Sequence, residues 1–184
     1  MELITKSKLR NIGESYVRTF NAQKLSDAVN ESKVRNSHYN EVTVFLSRKH
    51  SDTEDLRWAI ALFKRLGVSI YVDWMDEEMP KKTSGETARK IKQKIKSSKK
   101  FVLLATEDAI SSKWCNWELG YGDAHKYIEH IAILPVKNDY TDFSGSEYLQ
   151  VYPVISFKYS FSDTDFIVTD PNGTTKDLKQ WLQS

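Results

Sequence analysis

The chain has 184 residues, of which 40% are hydrophobic, 12% aromatic and 28% charged, which suits one domain with a real core and an ordinary solvated surface. A formal net charge of +2 is too small to argue for nucleic acid, and no apolar run approaches the roughly 20 residues of a bilayer span. The opening Met1–Lys6 lacks the apolar centre of a secretion signal, and the single Cys115 excludes an internal disulfide and a cysteine metal cluster. A reducing cytoplasm is therefore the expected setting, with neither nucleic acid nor membrane as a partner.

Residues 1 to about 36 carry helical periodicity. Leu9, Ile12, Tyr16, Val17 and Phe20 form one apolar stripe, and Leu25, Ala28 and Val29 a shorter second. This predicts an N-terminal helical extension over 1–40, with Lys6, Lys8, Arg10 and Arg18 as a solvated basic face and Asn36–Asn40 as a linker, ahead of a main domain over 41–184. Val42–Ser47 is β-branched and apolar without alternation, the pattern of a strand buried on both faces. Ser51 and Glu54 have capping-box spacing, Leu56, Ile60 and Phe63 predict a helix, and Gly67 closes it. Val68–Val72 predicts the next strand, and the irregular, charged Asp73–Lys82 follows, with Pro80 against any regular element. A second capping box at Thr83 and Glu86 opens a helix with Ala88, Ile91 and Ile95 inward and Arg89, Lys90, Lys92, Lys94 and Lys96 outward.

Phe101–Ala105 predicts a buried strand, Thr106–Ile110 a loop, and Ser112 the start of a helix on which Trp114 and Glu118 share a face. A carboxylate would then stand beside an indole near the carboxyl end of a strand, where open α/β sheets bind ligands; a core tryptophan and a solvated helix acid account for the same spacing. Ile131–Val136 is another buried strand, in which Pro135 predicts an irregular end or a sheet edge. Tyr152–Phe157 and Phe166–Val168 are strand candidates, Asp170–Gly173 a turn, and Thr174 onward a helix with Leu178, Trp181 and Leu182 inward. Strands alternating with helices predict an α/β, flavodoxin-like open parallel sheet of about five strands with helices on both faces.

Several chemistries fail on the residues. No glycine-rich dinucleotide fingerprint or phosphate-cradling loop occurs in a chain with seven Gly. His38, His50, His125 and His130 are scattered, so no metal site is expected. Cys115 and His125 lie about 15 Å apart along one helix, too far for a thiol–imidazole pair, and Cys115 reads as a packing residue. A phosphorylated receiver needs acids where this chain has Ser47-Arg48 and Ala105-Thr106.

Ser112-Lys113-Trp114-Cys115-Asn116-Trp117-Glu118-Leu119 is similar to the S-x-W-C-x-x-E-L signature of Toll/interleukin-1 receptor (TIR) domains. Val42–Ser47 resembles that family's opening strand and Asp73–Lys82 its variable loop after the second strand, so the resemblance covers about residues 41–136. It implies a stand-alone bacterial-type TIR protein, similar to the TIR proteins of Thoeris antiphage defence systems. The implied activity is cleavage of NAD+ between nicotinamide and ribose, NAD+ being substrate and no cofactor being needed. Glu118 is the implied catalytic acid: bond breaking develops oxocarbenium character that a carboxylate stabilises, and nicotinamide leaves neutral without a general acid. Trp114 matches an aromatic that walls the ribose pocket. Ser47, Arg48 and His50 are candidates for binding phosphates or adenosine, and Asp73 and Trp74 for lining the site. The implied partners are further TIR domains and a separate effector reached through an ADP-ribose-type product nucleotide. The alternatives are a non-catalytic TIR scaffold and a nucleoside deoxyribosyltransferase-like glycosyl enzyme.

Overall fold

The computed structural model describes residues 2–19, 43–72, 84–140, 145, 147–158 and 166–184, with side chains up to residue 15 in the first stretch. The strands are β1 (Ile4–Thr5), β2 (Thr43–Ser47), β3 (Ser69–Tyr71), β4 (Lys100–Ala105), β5 (Ile131–Lys137), β6 (Val154–Phe157), β7 (Phe166–Thr169) and β8 (Thr175–Asp177). The α-helices are α1 (Lys6–Thr19), α2 (Thr53–Arg65), α3 (Gly85–Ser97), α4 (Glu107–Ser111), α5 (Lys113–His125) and α6 (Leu178–Gln183).

The sheet runs β3-β2-β4-β5-β6-β7-β8. Its first five strands are parallel, and β7 and β8 extend it antiparallel. The five parallel strands have the flavodoxin-like order, which reverses between β2 and β4 and so creates a ligand crevice at their carboxyl ends. The expected core of about five strands is present, enlarged by β7, where Phe166–Val168 was a strand candidate, and by β1 and β8, whose patterns are too short or too polar to read.

Side-chain alternation along the strands divides the core in two. Val44 and Leu46 of β2, and Val102 and Leu104 of β4, enter the cluster that holds Leu9, Ile12, Leu56, Ile60 and Trp181 from α1, α2 and α6. Phe45 of β2, with Phe101, Leu103 and Ala105 of β4, enters the opposite cluster with Ile91 and Ile95 of α3 and Cys115 and Leu119 of α5. Phe45 stacks on Tyr71 and Phe101 with centroids 5.6 and 5.5 Å away. Gly122 brings α5 close to the sheet, since a Cβ there would lie 3.3 Å from the Phe101 ring.

The amino-terminal helix docks on the domain, and the residues before it join the sheet. Ile4 and Thr5 pair with Val136 and Lys137 of β5, Phe157 N–H donates to the Glu2 carbonyl, and Leu9 and Ile12 are fully buried against α2. A two-residue strand has no period to detect, so the sequence shows only the helix that follows it. Pro135, expected at an edge or an irregular end, lies within central β5. It pairs with Ala105, the last residue of β4, one residue before β5 takes up β1, so its missing N–H falls where the strand changes partners.

Other departures are local. The Ser51–Glu54 capping box does not form; Asp52 is the N-cap of α2, and its carboxylate accepts from Thr106 Oγ1 at 2.5 Å instead of capping the helix. The box of α3 is Ser84 with Thr87, one residue later than expected. Thr106 caps a short helix, α4, where a loop was predicted, because five residues are too few to show a helical period. Thr175–Asp177 is an exposed polar edge strand that precedes α6. Its partner β7 reaches it through the turn at Asp170–Gly173, in which Gly173 N–H donates to the Asp170 carbonyl at 2.8 Å. Gly67 closes α2 at φ 76°, as its position predicts. Leu25, Ala28, Val29, Asn36–Asn40 and Asp73–Lys82 lie outside the described residues. Among the described residues no helix is long and apolar enough to cross a membrane.

Candidate active site

Alternation along β2 sends Ser47 to the same face as Phe45, towards α5. From the other side, Ser112 starts α5 by accepting from the Cys115 N–H at 3.4 Å. The buried face of α5 is then Cys115, Glu118, Leu119 and Gly122, spaced as one helical stripe. An acid thus occupies a position whose neighbours in the stripe are apolar or small. Glu118 is 2% exposed and Ser47 is also 2% exposed.

The two meet: the Ser47 hydroxyl donates to Glu118 Oε2 in a short hydrogen bond. A buried carboxylate needs such donors, because desolvation otherwise penalises its charge. Cys115 lies in the same group. Burial pushes its thiol up to about 11; the neighbouring Ser112 and Ser47 hydroxyls oppose the rise, while the Glu118 and Asp52 carboxylates add to it. A thiol held that high stays protonated at neutral pH and is no nucleophile.

The remaining candidates fall into three groups. Arg48, 6% exposed, directly follows Ser47, and its Nη1 donates to the Lys49 carbonyl at 2.7 Å. Trp114 is half-buried on α5, tilted against Trp117 with centroids 4.9 Å apart, and packs on the cluster that holds Cys115 and Leu119. It is therefore offset from the inward stripe that carries Glu118. His50 is exposed on the turn before α2, and its carbonyl accepts from Thr53 Oγ1 at 3.5 Å. Asp73 and Trp74 lie outside the described residues. Among those described, no group of three or more His, Cys, Asp or Glu could hold a metal ion.

Sequence reasoning missed the support beneath this corner. Asp52 and Thr106, 8% and 3% exposed, join the loop after β2 to the end of β4 through the 2.5 Å hydrogen bond. Thr106 Oγ1 also accepts from the Ala109 N–H at 3.0 Å, so one hydroxyl fixes the start of α4 and the start of α2 together. The only signal in the sequence was an Asp and a Thr immediately flanking predicted elements. Farther along α5, Trp117, Tyr121 and His125 continue a ladder of rings, the last pair 4.0 Å apart. Lys92 of α3 stands 5.7 and 5.2 Å from the Trp117 and Tyr121 rings, so part of the basic face of α3 lies over aromatic surface.

A parallel sheet with its order reversed beside β2, and an inward acid of a strand-following helix at its carboxyl edge, define the class, and this chain belongs to the TIR domain family. The family's TIR domain model matches residues 44–166. The chain is 32% identical over 166 residues, 85% of its own length and 84% of the relative's, to a Bacillus cereus (strain MSX-D12) protein named "Probable 3' cyclic ADP-D-ribose synthase ThsB'". It is also 31% identical over 140 residues to a Methanobrevibacter olleyae protein named "Probable 2' cyclic ADP-D-ribose synthase TcpO", covering 74% of this chain and 39% of that one. The crystal structure of the TIR domain of the Toll-related receptor TRR-2 from Hydra magnipapillata aligns at a TM-score of 0.43 with 18% identity, over 58% of this chain and 76% of that one.

Proposed function

We propose that this chain cleaves NAD+ at the nicotinamide–ribose bond and joins the freed ribose carbon to another hydroxyl of the same molecule, producing a cyclic ADP-ribose. The observation that carries the reading is the placement of Glu118, an acid buried in the inward stripe of α5 and bound by Ser47 at the end of β2. The similarity to the Bacillus cereus relative over 84% of that protein's length supports it and favours cyclisation.

In the bond-breaking step the C1′–N bond gives its electron pair to the pyridinium nitrogen, and nicotinamide departs neutral. The positive charge left on the ribose is stabilised by the Glu118 carboxylate. A ribose hydroxyl then attacks C1′ and loses its proton, so the balance is NAD+ to cyclic ADP-ribose, nicotinamide and one proton. Water in place of that hydroxyl gives ADP-ribose. The product is a signal nucleotide for a separate effector in antiphage defence, and self-association through TIR–TIR contacts belongs to the same reading.

Purified protein incubated with NAD+ and followed by chromatography and mass spectrometry tests this. Nicotinamide and a product 18 mass units (about one water) below ADP-ribose are expected. Glu118→Gln, which retains the shape and a partner for Ser47, should lower nicotinamide release by about a hundredfold or more while the circular dichroism spectrum stays unchanged. Undiminished release by Glu118→Gln would refute this site. No release by the wild type across substrate and enzyme concentrations would favour the scaffold.

A further inference from the structure

We infer that Ser47 is a positioning residue for Glu118, keeping the carboxylate ionised and aimed, and is not a ligand of the substrate's phosphates. This rests on the NAD+-cleaving reading of the same site. A serine hydroxyl has one proton to donate. In this structure that proton is committed to Glu118 Oε2, 71 residues away in the chain. Ser47 can then only accept further hydrogen bonds, which does not suit a phosphate oxygen. The Cys115 thiol lies in the same buried group, one turn before Glu118 on α5.

Burial makes the role specific. Ser47, Cys115 and Glu118 are all 2% exposed or less, so water does not replace a lost donor cheaply. The hydroxyl is carried by a strand in the middle of a parallel sheet, between β3 and β4, and is thus held more firmly than a loop donor would be. Among the described residues, the Cys115 thiol on α5 and the Arg48 and Asp52 charges after β2 are buried in the same corner. Asp52 is engaged by Thr106, Arg48 donates to the Lys49 carbonyl, and the thiol remains neutral. Ser47 is therefore a neutral donor whose loss changes no formal charge around Glu118.

Removing that donor raises the proton affinity of the carboxylate, because a hydrogen bond to the charged form favours it. Charge-assisted hydrogen bonds are strong enough that the expected displacement is about one to two pH units. The test is the pH dependence of nicotinamide release by the full chain, comparing wild type, Ser47→Ala and Ser47→Thr. Ser47→Ala should move the acid limb of kcat/KM up by about one unit or more and lower kcat roughly ten- to a hundredfold, with KM changing by no more than about threefold. Ser47→Thr restores the hydroxyl and should keep the acid limb at its wild-type position. A large rise in KM for Ser47→Ala with kcat and the acid limb unmoved would overturn the inference and make Ser47 a substrate ligand. So would an acid limb that moves equally in the Thr variant. A readout without substrate separates this from the activity itself. In carboxyl-13C-labelled protein, the Glu118 signal, identified by its loss in Glu118→Gln, should titrate at higher pH in Ser47→Ala than in wild type. Identical titrations overturn the positioning role even if NAD+ is cleaved, whereas a displaced titration without any turnover overturns the enzymatic reading and leaves the hydrogen bond standing.

Discussion

Two glycine-to-alanine substitutions in helices should change stability in opposite directions, and the reason lies in what each added methyl group meets. Gly13 lies in α1, where that helix packs on α2. A Cβ there would stand 2.3 Å from Trp58 Cε3 and 3.2 Å from two further ring atoms. Carbon atoms pack comfortably at about 3.5–4.0 Å, so the indole or the helix must retreat by about 1 Å. Trp58 is half-buried against the core and is itself carried by α2, so its retreat disturbs the contact that docks α1. Overpacking of this kind costs about 1–3 kcal/mol, against a gain of about 1 kcal/mol in helix propensity. Gly13→Ala should therefore lower stability by up to roughly 2 kcal/mol, a fall of up to about 8 °C in Tm for a chain of this size. Gly120 on α5 is the control: it is exposed, and an added Cβ meets nothing within 4 Å. Gly120→Ala should gain up to about 1 kcal/mol. Reversible denaturant unfolding measures both, and hydrogen exchange of the α1 amides should quicken in Gly13→Ala alone. If both substitutions stabilise equally, α1 does not dock through Gly13 as described and the packing argument fails.

The carboxyl-terminal helix gives a pH prediction. Lys100 is completely buried at the start of β4, with Nζ 2.8 Å from His130 Nδ1, 3.2 Å from Ser184 Oγ and 4.6 Å from the Trp181 ring centre. Burial first, and then Lys99 and Lys176, push its amine down to about 8, and burial with the Lys100 charge lowers His130. The unfolded chain thus binds more protons at Lys100 between about pH 8 and 10.5, so this group's contribution to stability rises with pH across that window by roughly 3 kcal/mol. Lys100→Met should flatten the rise in denaturant unfolding measured from pH 7 to 10; parallel curves for the two proteins would refute the buried charge. At His130 the contribution is present above pH 6.5 and lost as pH falls through its depressed value, so His130→Gln should lessen acid destabilisation in the same assay. Thr106→Val, which keeps shape but removes the cap of α4 and the bond to Asp52, should cost about 2–4 kcal/mol, and Thr106→Ser under about 1 kcal/mol. A larger loss in Thr106→Ser than in Thr106→Val would show that the methyl group, not the hydroxyl, holds this corner.

How far the fold could be read follows from where each element buries its surface. β2, β4 and β5 are covered on both faces, and such strands appear as unbroken apolar runs that need no partner to be recognised. α2 and α3 show their inward stripes because each packs one face only. The elements that escaped lack that imprint: β1 has two residues, α4 five, and β8 is exposed at every position. Their existence depends on neighbours, with β1 needing the free end of β5 and β8 needing the turn that returns the chain from β7. Cap positions slipped by a residue for a related reason. Cap spacing is a local pattern, whereas the Asp52 carboxylate is taken up by Thr106 from 54 residues away.

The candidate site was legible to the extent that the spacing of its residues is local. Ser112, Cys115, Glu118 and Leu119 lie within two turns of one helix, and their spacing alone puts an acid near the carboxyl edge of the sheet. The direction of that acid was not legible from the pairing with Trp114, because four-residue spacing also describes a solvated face. What distinguishes Glu118 is its membership of the stripe formed by Cys115, Leu119 and Gly122, in which every other residue is one that a core accepts without a partner. An acid at such a place lowers stability unless a donor meets it, and the donor comes from β2 because the sheet order sets β2 beside β4, beneath α5. A sequence optimised only for folding would place an apolar residue at 118 and an apolar β-branched residue at 47, which would complete the cluster around Phe45 and Leu119. The chain instead breaks the apolar rule at both positions at once, and the two exceptions satisfy each other. In the candidate site that mutual satisfaction leaves the backbone undisturbed: the strand, the helix cap and the inward stripe all keep regular geometry around the acid.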